Sequence, residues 1–270
     1  MALVVNSNIA SLNSQRQLSR STNDLSDNYQ RLSSGKRINS ARDDAAGLQI
    51  SSRLTAQING LNQASRNAND AISLAQTAEG ALDEYTGALQ RMRTLAVQAS
   101  NGSNNADDRA ALNAEYKELT DELTRISNDT EFGGVKLLDS NYKEAFQIGA
   151  NKGQLITIEI SKDLTAGAVS VAGGVATFTG AQSMLTKIDA ALKTVNGVRA
   201  DLGAKQNRFS SIIRSNDITS ENVSASRSRI EDTDFAAETA KLARSSVLQQ
   251  TSSSMLAQAN QQPQIALSLL

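Results

Sequence analysis

NNADDRAALNAEYKELTDELTRIS, residues 104–127, decides how the rest of the chain is read. Within it Leu112, Tyr116, Leu119, Leu123 and Ile126 recur at alternating intervals of four and three residues, which lays a narrow apolar stripe along one helix face. Asn105, with Asp108 three residues later, supplies an N-cap and a first-turn acid that favours the helix dipole. So narrow a stripe is the seam of a bundle or coiled coil, and its partner must lie elsewhere in the chain.

Two longer stripes flank it. Upstream, from about Asp44 to Ser100, Ile50, Leu54, Ile58, Leu61, Ala68, Ile72, Ala75, Leu82, Tyr85, Leu89, Met92 and Ala96 keep the same schedule, and Asn101-Gly102 supplies a stop. At about 1.5 Å per residue that helix would run roughly 85 Å, longer than a compact domain is wide, so an elongated molecule is expected. Downstream, Leu185, Ile188, Leu192, Val195, Leu202, Phe209, Ile213, Val223 and Ile230 mark a seam from about Gln182 to Glu231. Gly197 and Gly203 interrupt it and are expected to be points of close packing.

Between these helices the pattern changes. Half of the 16 glycines fall between residues 133 and 180. There AFQIGANKGQLITIEI (145–160) and GAVSVAGGVATFTG (167–180) show alternation, β-branching and glycine turns, which predicts two hairpins. Helices on either side must fold back antiparallel for their stripes to meet, which leaves the hairpins at the tip.

The two ends form a different module. From Asn6 to Ser33 a helical pattern places Ile9, Leu12, Leu18, Leu25, Tyr29 and Leu32 roughly on one side, and SSGKRINSARDD (33–44) then reads as a basic, glycine- and serine-containing linker. Its partner begins near Phe235 and carries Leu242, Val247, Leu248, Met255 and Leu256 among many Ala, Ser and Gln residues. Two such helices bury one thin seam, whose gain at about 25 cal/mol per Å² barely offsets about 1.5 kcal/mol of ordering cost per residue. The chain closes on QQPQIALSLL (261–270), where Ile265, Leu267, Leu269 and Leu270 follow its only proline. Apolar ends that one copy cannot cover point to burial by other copies.

The fold class expected is therefore mainly α: an elongated antiparallel helical bundle or coiled coil, a small β-hairpin region at the tip, and a paired terminal-helix module. The divisions are 1–43 with 234–270, 44–145 with 182–233, and the short variable region 146–181.

Composition narrows the function. With 27 basic and 28 acidic residues no field of one sign draws the chain to nucleic acid or to anionic membrane, so neither partner is expected. No apolar run is long enough to span a bilayer, and the start MALVVNSNIA lacks the pattern of a cleavable signal. Zero cysteine and zero histidine remove thiolate chemistry, the commonest metal ligand and the usual general base. The acidic pairs Asp43-Asp44, Asp83-Glu84, Asp107-Asp108 and Glu231-Asp232 read as helix caps or solvated faces, and Gly133-Gly134 and Gly173-Gly174 lack the Lys-Ser/Thr of a phosphate loop. No enzyme, metal or cofactor is expected.

The blocks MALVVNSNIASLNSQRQL (1–18), LSSGKRINSARDDAAGLQIS (32–51), LQRMRTLAVQASNG (89–102), ADLGAKQNRF (200–209) and SMLAQANQQPQIALSLL (254–270) closely resemble bacterial flagellin, in the family's order, across residues 1–145 and 182–270. The large outer domains of many flagellins are reduced here to about 146–181. The resemblance implies a helical homopolymer, the extracellular flagellar filament that drives swimming, with subunits secreted unfolded through the flagellar type III apparatus. Implied partners are other copies of the chain, an export chaperone, and the hook–filament junction and cap proteins. Contacts in the filament core fall on Ile9, Leu12, Leu18, Leu25, Leu32, Leu242, Leu248, Met255, Leu256, Ile265, Leu267, Leu269 and Leu270.

In LQRMRTLAVQ, Arg91 and Leu95, with Glu115 on the next helix, match the surface that an animal Toll-like receptor recognises in the family; glutamate is common there where this chain has Thr94. Subunit packing is the primary role expected of that surface. The family is often O-glycosylated in its variable region, which makes Thr165, Ser170, Thr177 and Thr179 candidates. The zinc protease found in some flagellins needs a His-Glu-x-x-His array that a histidine-free chain lacks. A hook–filament junction protein and a type III effector or adhesin are the alternatives; copy number and seeded polymerisation separate them.

Overall fold

The computed structural model describes residues 7–268, with side chains placed through Gln262. Among them are five helices: α1 (Ile9–Ser34), α2 (Ala45–Ala99), α3 (Ala106–Asp129), α4 (Phe178–Glu231) and α5 (Phe235–Ser268). Two antiparallel hairpins pair β1 (Glu131–Phe132) with β2 (Val135–Lys136), and β3 (Tyr142–Gln147) with β4 (Leu155–Ile160). The chain is mainly α, as its periodicity requires.

Every helix starts where a short polar side chain accepts an otherwise free amide. Asn8 receives Ser11 N–H at 3.0 Å, Asp44 receives Gly47 N–H at 2.8 Å, Thr177 receives Gly180 N–H at 3.1 Å and Asp234 receives Ala236 N–H at 2.9 Å. At α3 the capping is reciprocal, because Asn105 accepts from Asp108 N–H and Asp108 accepts from Asn105 N–H. The helices therefore lie within four residues of where their stripes and caps place them.

By contact density the chain divides into two compact units, one made of Met1–Ala56 with Asn222–Leu270, the other of Gln57–Glu221. The expected divisions at 43/44 and 233/234 thus fall inside the first unit. In the second unit, Ala68, Ala71, Ala75, Ala78, Leu82, Tyr85, Leu89, Met92, Ala96 and Ala99 of α2 are buried in a heptad register. Tyr116, Leu123 and Ile126 of α3 and Ile188, Val195, Leu202 and Phe209 of α4 complete the same core. Strand β4 alternates, with Ile156, Ile158 and Ile160 inward and their neighbours outward. Phe146 of β3 meets Phe209 of α4 edge to face, centroids 6.2 Å apart.

Three expectations change. The hairpin predicted in 167–180 has no strand there; residues 161–177 are irregular, with Leu164, Ala166, Val171 and Val175 plugged into the core. Side chains of α2 and α3 take up its backbone groups: Tyr85 donates to Leu164 O at 2.7 Å, Tyr116 donates to Val171 O at 3.0 Å, and Asn113 accepts from Val175 N–H at 2.8 Å. The other hairpin is instead β1–β2, turning on Gly133 and Gly134, whose φ angles of 59° and 83° suit a tight turn. Gly197 and Gly203 are not close-packing points, because a β-carbon built on either meets no atom within 4 Å.

Candidate functional site

The first unit is built from a seam with little apolar content. α1 and α5 lie antiparallel: Asn8 donates to Ala259 O at 2.7 Å and Asn28 donates to Ser245 Oγ at 3.1 Å. Along α1 the inward positions are Ser11, Ser14, Leu18, Ser21, Leu25, Asn28 and Leu32, and along α5 they are Glu238, Leu242, Ser245, Gln249, Ser252, Leu256 and Ala259. Both series step by alternating threes and fours, the register of a coiled coil. Among the described residues of this unit the buried set comprises Ile38 and Ala259 as its apolar members, against Ser21, Asn28, Ser51, Glu238, Ser245 and Ser252. Serine and asparagine let the backbones approach but contribute little hydrophobic free energy.

Large apolar side chains stand outside that seam. Val247 is 64% exposed, Ile9 62%, and Phe235 and Met255 57% each, with Leu12, Tyr29 and Leu248 also exposed. Leu248 and Met255, seven residues apart, share one face of α5, and Val247 flanks it. The expected core-contact positions therefore split into two groups. Leu18, Leu25, Leu32, Leu242 and Leu256 are half-buried in the α1–α5 seam, whereas Ile9, Leu12, Leu248 and Met255 face outward. Ile265 and Leu267 fall in the last turns of α5, beyond the side chains described, and Leu269 and Leu270 lie outside the described residues.

The stretch read as a linker is a structured clasp. Gly35 ends α1 at φ 71°, and the chain then pairs with the start of the return segment: Arg37 N–H donates to Glu231 O at 2.7 Å and Thr233 N–H donates to Gly35 O at 3.0 Å. Ile38 is buried beneath it. The Glu231 carboxylate, 12% exposed, accepts from Lys36 and from Ser51 Oγ, and these partners hold its pKa below the usual carboxylate range. Asp43 is held low in the same way, by the backbone and side chain of Ser40 and the backbone of Asn39. Asp43, Asp44, Asp108 and Glu231, acids of the pairs singled out in the sequence, thus serve as caps and clasps. Sequence reasoning missed Glu231 as a hub because its partners lie some two hundred residues away.

Arg91 and Glu115 come together in the second unit, joining α2 to α3 through a 2.6 Å ion pair with both side chains about half exposed. Arg91 rims an open groove of about 680 Å³ floored by Gly87, Ala88, Leu119 and Ile126. Leu95 does not join them on the surface: it is 0% exposed, part of the α2 core. Of the candidate hydroxyls, Ser170 and Thr179 are exposed, Thr165 is half-buried, and Thr177 is engaged as the α4 cap.

Residues 5–143 match the family described as the bacterial flagellin N-terminal helical region, and residues 185–270 match the bacterial flagellin C-terminal helical region. The chain is 48% identical to the flagellin of Halalkalibacterium halodurans over 271 aligned residues, which cover 99% of this chain and 100% of that one. This chain belongs to the bacterial flagellins. Flagellin A of Vibrio cholerae is 39% identical, with 100% of both chains covered by an alignment of 378 positions, so the Vibrio flagellin has segments absent from these 270 residues. This is a short flagellin. Among solved structures, the crystal structure of Bacillus cereus flagellin matches with a TM-score of 0.52 and 31% identity, covering 56% of this chain and 88% of that one. A putative flagellar hook-associated protein of Vibrio parahaemolyticus shares the fold at a TM-score of 0.59 and 16% identity.

As a flagellin the chain is a structural subunit, not an enzyme, that self-assembles helically into the extracellular flagellar filament used for swimming. Among the described residues no helix is long and apolar enough to cross a membrane.

Proposed function

We propose that the outward apolar positions of α1 and α5, namely Ile9, Leu12, Val247, Leu248 and Met255, are the contacts through which copies of the chain pack in the filament core. The observation that carries this reading is the inverted distribution in the first unit, polar within its seam and apolar outside it. Covering the exposed half of such a side chain yields about 1 kcal/mol, so five positions repeated in every subunit provide a substantial cohesive term. A contact of this kind is heterologous and does not close, the geometry of a filament. By sequence alone, Ile265, Leu267, Leu269 and Leu270 are further apolar candidates for the same kind of contact. The seam leucines Leu18, Leu25, Leu32, Leu242 and Leu256 hold the pair together instead.

The test is seeded elongation with Val247→Asp and Leu248→Asp, compared with Ser253→Asp, an exposed position on the opposite side of α5. The first two are expected to stop elongation while leaving the unfolding of the second unit unchanged; elongation at the parent rate would refute the assignment. Removal of residues 261–270 tests the terminal leucines by the same readout.

The same surface has to be shielded before assembly and matched at filament ends, the roles of an export chaperone and of the junction and cap proteins. On this reading the two compact units correspond to inner-core and outer-core domains, with residues 146–181 the reduced variable region. For an animal Toll-like receptor, the exposed Arg91–Glu115 pair is the contact and Leu95 supports it from within. Undiminished receptor signalling by an Arg91→Ala, Glu115→Ala chain would remove that role. For O-glycosylation, Ser170 and Thr179 are the favoured acceptors over Thr165 and Thr177, and intact mass decides.

A further inference from the structure

Asparagine precedes glycine at Asn59-Gly60, Asn101-Gly102 and Asn196-Gly197. This pairing is prone to self-modification because glycine offers no β-carbon to block approach of its nitrogen to the neighbouring side chain. Two of the pairs lie inside α2 and α4, where the glycine N–H is committed to a helical bond and the dihedrals hold its nitrogen away from the asparagine side chain. Asn101-Gly102 instead lies in the exposed turn between α2 and α3.

The surroundings of that turn act on both reacting groups. The carbonyl electrophile, Asn101 Cγ–Oδ1, already receives Ser103 N–H at 3.2 Å, a donor placed on the oxygen where negative charge develops during attack. The nucleophile is the nitrogen of the Asn101–Gly102 peptide. Its carbonyl oxygen, Asn101 O, accepts from the Arg109 guanidinium at 3.0 Å and from Asn104 N–H at 3.3 Å. A cation on that oxygen stabilises the deprotonated peptide, whose charge is shared between nitrogen and oxygen. Among the described residues Gly102 N–H has no backbone acceptor, and a β-carbon on Gly102 would meet no atom within 4 Å. Arg109 is itself anchored, because its Nε donates to Ala99 O at 3.0 Å.

We propose that the Asn101-Gly102 turn is a site of spontaneous deamidation promoted by Arg109 and Ser103. Gly102 nitrogen loses its proton to solvent base and attacks Asn101 Cγ; the new C–N bond closes a succinimide, the Cγ–Nδ2 bond breaks, and the side-chain nitrogen leaves as ammonia with a proton from water. Water then opens either imide carbonyl, giving aspartate or isoaspartate at position 101. Each event adds one negative charge to the turn beside Arg109, and the isoaspartyl product also lengthens the backbone there by one carbon.

The full chain is incubated in mildly alkaline buffer and followed by peptide mapping, which reads a gain of about one mass unit per event and distinguishes isoaspartate by fragmentation. In the folded chain, conversion at Asn101 is expected to outpace that at Asn59 and Asn196 by an order of magnitude or more, while in denaturant the three converge. Arg109→Gln is expected to slow Asn101 several-fold in the folded chain, checked for retained helicity by circular dichroism, and to leave the denatured rate unchanged. Similar folded rates at all three sites, slower conversion of Asn101 in the folded than in the denatured chain, or a folded rate indifferent to Arg109→Gln would each overturn the proposal.

Discussion

Replacing Tyr85 and Tyr116 by phenylalanine, singly and together, tests what keeps residues 161–177 in place without a strand ladder. Both hydroxyls are buried and each donates to a backbone carbonyl of the segment, Tyr85 to Leu164 O at 2.7 Å and Tyr116 to Val171 O at 3.0 Å. Each substitution keeps the ring and its packing but leaves a buried carbonyl unpaired, at about 1–2 kcal/mol. For a unit of this size that lowers the melting temperature by about 2–4 °C per kcal/mol. Both bonds grip one short segment, so losing the first loosens the geometry of the second, and the double substitution should cost less than the sum of the singles. Thermal melts of depolymerised chain by circular dichroism measure the cost, and limited proteolysis at 161–177 reports where it falls. Melting temperatures unchanged by either substitution, or fully additive ones, would refute the idea that the tyrosines share one tether. The same residues set an alkaline limit. Burial pushes Tyr116 up to about 12 and Tyr85 higher still. A raised folded-state pKa contributes stability that is complete below the unfolded value near 10 and is lost as pH climbs toward 12. Tyr116→Phe should flatten that alkaline loss.

Gly197→Ala and Gly203→Ala have open space at the new methyl and sit within α4, so each should stabilise the depolymerised chain by about 0.5–1 kcal/mol in denaturant titrations. Glu231→Gln removes the charge that gathers Lys36 and Ser51, and should speed amide exchange across residues 35–44. Because the folded-state pKa of Glu231 is depressed, the parent clasp is secure above the ordinary carboxylate range and loosens as pH falls through the folded value; the Gln variant should lack that acid step. Asn28→Leu combined with Ser245→Ala replaces a polar layer of the α1–α5 seam by an apolar one, and should raise amide protection of both helices in the unassembled chain.

Periodicity made the helices of the second unit legible, because α2, α3 and α4 mark one side with alanine and large apolar residues and the other with polar ones. It misled in the terminal pair. There the inward register is carried largely by Ser21, Asn28, Ser245 and Ser252, so Ile9, Leu12, Leu248 and Met255 look like seam members although they lie outside it. The segment VSVAGGV (169–175) reads as a strand by alternation, yet its inward valines fill the core while tyrosine and asparagine side chains satisfy its backbone. A hairpin as short as β1–β2 leaves only its two glycines as a signal. Leu95 sits four residues from Arg91, but buried and exposed edges of one helix can be that close.

On the proposed assignment, the turned-out terminal pair would also govern the kinetics of polymer growth. Two stray copies that meet can shelter only a fraction of one another's greasy surface, whereas the end of an existing fibre offers several neighbours at once. Starting a fibre is therefore far slower than lengthening one, and a dilute pool of subunits persists as a reservoir until a ready-made end is presented.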